Sequence, residues 1–274
     1  DLHIQAFKLA EELSVPVMVC MDGFILTHAY ERVDIPEQAT VDKYLPPFEP
    51  RQVLDPANPY SIGAMVGPEA FTEVRYLAHD RQICALEVIP RIADEFKALF
   101  GRDSGGLIHT YLTEDAETIV VTLGSVAGTV KDTVDLMRKN GTRIGVVSIC
   151  SFRPFPKDQI RAVLEQAKRV VVLEKSFALG FGGIVANNVM MSMQRTGVHV
   201  YTAVAGLGGR PIIRTSLTAL FEKAGRDELE DVHFLDLDWE VVNRELDRAR
   251  ESITSGPTAE NILRDLGPGV AKAV

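Results

Sequence analysis

The sequence is poor in cysteine. It has three, Cys20, Cys84 and Cys150, odd in number and far apart. No CxxC pair occurs, so the chain offers no sequence-local site for zinc or for an iron–sulfur cluster, and no metal ligand is assigned. Cys20 and Cys150 lie in apolar, strand-like runs and are expected to be buried thiols, which suits a reducing compartment. No run reaches the ~20 apolar residues of a membrane helix. No basic segment leads into a short apolar one, as a secretory signal would. The expected location is the cytoplasm. Positive charge is also scarce: 29 Lys and Arg stand against 38 Asp and Glu, a formal net charge of -9. A general nucleic-acid binder needs a basic face to displace counterions from phosphates, so that class is excluded. HExxH, GxSxG and metal-spaced carboxylates are all missing, so no catalytic residue is assigned in this segment.

What is present suits an ordinary globular protein. Of the 274 residues, 46% are hydrophobic and 24% charged, enough for two domains with cores that need no disulfide or metal. The chain opens inside a helical pattern (Ile4, Phe7, Leu9, Ala10, Leu13). The apolar run VPVMVCM over 15–21 follows, which reads as a parallel strand covered on both faces. An α/β unit entered halfway is the natural reading, with further chain expected before Asp1. Seven prolines crowd residues 34–70. They predict little regular structure, yet Leu45, Phe48, Val53, Leu54, Tyr60, Ile62, Met65 and Val66 want burial. This stretch reads either as an arm laid over a partner or neighbouring domain, or as a plain long connection. A helix is predicted over 69–100, kinked or divided at Pro90 and ended by Gly101, with a boundary over 101–115. Strands then alternate with helices: 118–122, 126–140, 144–150, 157–166, 170–173, 184–195, 198–204 and 216–223. This alternation predicts a small doubly wound sheet. The tail begins amphipathically (Trp239, Val242, Leu246), suited to a short docking helix, and ends in residues expected to be disordered.

Four strand-end loops carry candidate chemistry. Asp22-Gly23-Phe24 with Thr27 and His28 reads as a cofactor-facing or interface loop, or more commonly as a simple Asp-Gly turn. Gly180, Gly182 and Gly183 before a helix resemble a phosphate cradle, but their spacing is neither Rossmann nor P-loop. Close packing or a domain contact is favoured. Gly206, Gly208, Gly209 and Arg210 place a guanidinium at a glycine turn, suited to a carboxylate or phosphate. A salt bridge to an acidic neighbour is favoured there. Gly124-Ser125 reads either as an anion site or, preferably, as a serine helix cap.

Longer stretches carry a resemblance. VPVMVCMDGFILTHAYE, VDIPEQATVDKYLPPFEP and LDPANPYSIG, followed by EDAETIVVTLGSVAGT, ICSFRPFP, VVVLEKSFALGFGG and AGLGGR, resemble in order and spacing the alpha subunit of the pyruvate/2-oxoacid:ferredoxin oxidoreductases, to about residue 225. The resemblance implies an α/β chain: the end of a thiamine-pyrimidine-binding-type domain (1–35), a connecting arm and helices (36–115), a doubly wound transketolase-C-terminal-like domain (116–225) and a tail (226–274). It implies thiamine diphosphate and Mg at a subunit interface, not wholly on this chain, and iron–sulfur clusters on partner chains. The partners implied are a thiamine-diphosphate-binding beta subunit, gamma and ferredoxin-like delta subunits, ferredoxin or another acceptor, and coenzyme A. The implied reaction is oxidative decarboxylation of a 2-oxoacid, pyruvate first, usually to an acyl-CoA. 2-Oxoglutarate, branched 2-oxoacids, phenylglyoxylate and oxalate remain open as substrates. A non-catalytic scaffolding role within such a complex is the alternative. The family's Tyr-Pro-Ile-Thr-Pro type stretch and its pyrimidine-activating glutamate have no counterpart here, so no catalytic residue carries over. Asp22, Gly23, Thr27, His28 and Arg210 are expected to support the site from behind or to lie at a subunit interface.

Overall fold

The structure is a computed structural model that describes residues 1–23, 25–251 and 258–266. Four helices come first: α1 (Leu2–Leu13), α2 (Ile25–His28), α3 (Gln38–Tyr44) and α4 (Phe71–Phe100). α1 and α3 both pack on α4. Their shared core is Tyr44, Ile92 and Phe96, flanked by Ile4, Leu9, Val88 and Phe100. The Tyr44 hydroxyl donates to the Ile92 carbonyl at 2.8 Å. Lys8 pairs with Glu95 at 2.5 Å, and Arg91 bridges Glu12 and Glu95.

The rest of the chain builds one sheet. Its strands are β1 (Ile108–Tyr111), β2 (Thr118–Thr122), β3 (Ile144–Ile149), β4 (Arg169–Glu174), β5 (His199–Val204) and β6 (Val232–Phe234). They lie in the order β1-β3-β2-β4-β5-β6. β1 runs antiparallel to β3, and the other pairs are parallel. Helices α5 (Val126–Lys139) and α8 (Arg214–Gly225) cover one face, while α6 (Lys157–Leu164) and α7 (Ile184–Ser192) cover the other. Both faces are therefore buried, which explains strands such as VVVL without polar alternation. α9 (Trp239–Glu251) and α10 (Thr258–Leu266) follow. Asp265 ties them together by accepting from Arg244 and Arg248.

The four central strands and four helices match the expected doubly wound alternation. Several expectations need correction. VPVMVCM is not a strand: residues 15–21 have no ladder partner among the described residues, and Met18 is 85% exposed. An apolar run becomes a strand only where a neighbouring strand accepts its hydrogen bonds. Cys20, on that run, is exposed rather than buried, and so is Cys150, one residue beyond the end of β3. Nearby protein atoms still push the Cys150 thiol upward in pKa, against the opposing charge of Lys131. The proline-rich stretch does hold a helix, α3, between Pro36 and Pro46, anchored by Tyr44. Most of the stretch's apolar side chains, Phe48, Leu54 and Met65 among them, are exposed. Pro90 does not divide α4, which is one 30-residue helix. Packing of Ile92 and Phe96 outweighs the one backbone hydrogen bond a proline removes. β1 lies within the stretch expected to be a boundary, and β6 within the expected tail. The end of that tail and Phe24 fall outside the described residues, in whole or in part.

Candidate functional site

The chain leaves β2 toward β3 on one side and later returns to β4 on the other. The sheet order thus reverses between β2 and β4. In open α/β sheets the crevice beyond the carboxyl ends of such strands is the usual ligand site. Here three segments converge on it. Gly124 and Ser125 follow β2, Lys175 follows β4, and Asp22 reaches in from the segment after α1.

Asp22 Oδ2 accepts the Ser125 backbone N–H at 2.7 Å and lies 3.2 Å from Lys175 Nζ. Lys175 Nζ also donates to Ser125 Oγ at 3.2 Å. A glycine is needed beside them: Gly124 has φ +78°, and a Cβ there would stand 3.0 Å from Asp22 Oδ2. Burial raises the Asp22 pKa. Hydrogen bonds from the Ser125 side chain and amide and from Lys175, with that ammonium's charge, outweigh it, and the carboxyl ends below its ordinary value. Ser125 is therefore not a side-chain cap for α5, as was expected. A carboxylate from a distant segment takes the amide at the helix start instead, where negative charge is favoured.

The second glycine loop has a different occupant. Glu174, 1% exposed, points its carboxylate into the start of α7. Its Oε2 accepts from the Ile184 and Val185 amides at 2.9 and 2.8 Å and from Ser176 Oγ at 2.6 Å, and its Oε1 from the Ala186 amide at 3.0 Å. A Cβ on Gly183 would lie 2.0 Å from Glu174 Oε1. The loop is thus closely packed at Gly183, the reading favoured from sequence, while Gly180 has open space around it. Two of the four helix N-termini on this edge, those of α5 and α7, are thus filled by the chain's own carboxylates.

The other sequence candidates make none of these bonds. Gly23 has open space around it and no left-handed φ, so its glycine is not a steric requirement. Thr27 Oγ1 and His28 Nδ1 lie 3.2 Å apart on the exposed α2. Arg210 donates to the Asp236 backbone carbonyl and not, as favoured from sequence, to a carboxylate. The loop's first glycine does approach the cluster: a Cβ on Gly206 would sit 3.4 Å from Lys175 Cγ. Sequence reasoning missed Lys175 and Glu174. The only local signal was a Glu-Lys pair at the end of an apolar strand.

The family described as "Pyruvate:ferredoxin oxidoreductase core domain II" matches residues 116–216, and "Pyruvate flavodoxin/ferredoxin oxidoreductase, thiamine diP-bdg" matches residues 1–92. The chain is 43% identical over 230 residues to pyruvate synthase subunit PorA of Methanosarcina barkeri, with 81% of this chain and 57% of that protein covered. The chain belongs to the alpha subunits of the 2-oxoacid:ferredoxin oxidoreductases. Ketoisovalerate oxidoreductase subunit VorA of Pyrococcus horikoshii is another relative of this alpha-subunit family, 36% identical over 225 residues, covering 81% of this chain and 57% of that protein. The chain thus spans little more than half the length of these relatives. A solved 2-oxoglutarate:ferredoxin oxidoreductase from Magnetococcus marinus overlaps 64% of this chain and 28% of its own at 16% identity, with a TM-score of 0.43. Overlap at that level adds nothing to the sequence matches.

Thiamine diphosphate, named by the family description, carries a diphosphate whose charge must find donors. Its anionic end would meet the Asp22 carboxylate at the start of α5, and the amides at the start of α7 are already taken by the buried Glu174. Among the described residues, no group of three or more His, Cys, Asp or Glu is placed to hold a metal ion. The starts of α5 and α7 do not fit the diphosphate end, and no step of the chemistry is assigned to them.

Proposed function

We propose that this chain works as one subunit of a thiamine-diphosphate-dependent 2-oxoacid:ferredoxin (acceptor) oxidoreductase that oxidatively decarboxylates a 2-oxoacid, with pyruvate as the first substrate. The observation that carries this reading is the 43% identity to a pyruvate synthase subunit across 81% of the chain. On this reading the cofactor and Mg sit at an interface completed by a beta subunit. Gamma and ferredoxin-like delta subunits carry the iron–sulfur clusters, coenzyme A takes the acyl group, and the complex works in the cytoplasm. Among the described residues, no helix is long and apolar enough to cross a membrane. We read residues 1–35 as the end of a pyrimidine-binding-type domain, 36–115 as the arm and connecting helices, 116–225 as the transketolase-C-like domain and 226–274 as the tail. The exposed apolar side chains of the arm suit a subunit that buries them against neighbours.

A branched-chain substrate is the second reading, favoured by the VorA relative at 36% identity. Viologen reduction by the anaerobic complex, measured with pyruvate, 2-oxoisovalerate and 2-oxoglutarate with and without coenzyme A, tests both. The proposal expects coenzyme A-dependent reduction, fastest with pyruvate. A preference for 2-oxoisovalerate selects the second reading, and no reduction with any 2-oxoacid contradicts both.

A further inference from the structure

We propose that Asp22 is a positioning residue: its carboxylate pins the segment after α1 onto the switch-point edge of the sheet through Ser125 and Lys175. All three partners of the pin belong to this chain. The segment has little apolar hold of its own, since Val17, Met18, Met21 and Leu26 are all exposed. Asp22, in contrast, keeps only 25% of its side chain exposed and Lys175 31%. One oxygen, Oδ2, meets both the Ser125 amide, 103 residues away, and the Lys175 ammonium. The Lys175–Ser125 hydrogen bond closes the triangle. An exposed ion pair alone would add little. A charge-assisted bond to an amide at a helix start, shared with an ammonium and half shielded from water, adds more. Gly124 is the sequence feature that makes room for it. The pin also joins the two parts of the chain that match separate family domains, residues 1–92 and 116–216.

Hydrogen exchange on the full-length protein tests this, read at residues 15–35 and at the Ser125 amide. D22A should speed exchange at both by about tenfold or more, the loss expected for a charge-assisted hydrogen bond. D22N keeps an acceptor without the charge and should fall between D22A and the parent. K175M should speed exchange over 15–35, and D22A/K175M should be no faster than D22A, because both remove the same contact. A purely local packing role would not produce that order or that coupling. Unchanged exchange at Ser125 in D22A, or a double variant equal to the sum of the two single effects, would overturn the proposal.

Discussion

A carboxylate at the end of a buried strand must find its donors inside the protein, and Glu174 finds four, three of them amides at the start of α7. Replacing it with glutamine turns one acceptor oxygen into a donor facing donors. Glu174→Gln should lower unfolding stability by about 1–3 kcal/mol, checked by denaturant titration. Gly183→Ala should act from the other side, with its methyl driven into Glu174 and Thr202, at a cost of about 1–3 kcal/mol. The Asp22 carboxyl has its pKa lowered. Its contribution to stability is therefore fully present above the ordinary carboxylate value and fades as pH falls through the lower folded value. The unfolding midpoint of D22N should approach that of the parent as pH drops toward 3, and a gap that stays constant from pH 6 to 3 would contradict this. Of these residues the sequence marked Asp22 and Gly183 as candidates, but not Glu174. Lys175 and Glu174 carry no motif, and the Asp22–Ser125 bond joins positions too distant for any local pattern to connect. The glycines were legible as special, and at Gly183 the favoured packing reading holds.

At the scale of elements, α4 serves two surroundings. Its second half packs α1 and α3, where Phe96 is fully buried, edge-on to Tyr44 at 5.5 Å and stacked on Phe100 at 4.2 Å. Its first half leaves Phe71, Val74 and Leu77 exposed. Phe96→Ala should destabilise the three-helix cluster by about 3–5 kcal/mol. Amide exchange should rise across α1, α3 and α4 while β2 to β5 stay protected. Equal loosening of the sheet would contradict that separation. The sheet's four central strands were legible because burial on both faces leaves unbroken apolar runs bounded by turn residues. β1 was not: IHTY is short, half-polar and preceded by glycines. The run over 15–21 misled for the opposite reason. Its composition is that of a buried strand, but hydrogen-bonding partners, not composition, make a strand.

At the scale of the whole molecule, the acidic chain keeps many apolar side chains at its surface, along the arm and at the carboxyl edge of the sheet, where Leu179 and Phe181 are exposed. Family membership was legible from the order of long matched stretches rather than from any site. The chain's own carboxylates occupy the starts of α5 and α7 on the sheet edge. The proposed function has this chain work together with partner subunits. The direct test is anaerobic purification of the native assembly with this chain as bait, followed by identification of the co-purifying chains and assay of thiamine diphosphate and iron. The account predicts a beta-type partner, cluster-bearing subunits, thiamine diphosphate and iron in stoichiometric amounts. A chain that emerges alone, without thiamine or iron, would contradict it.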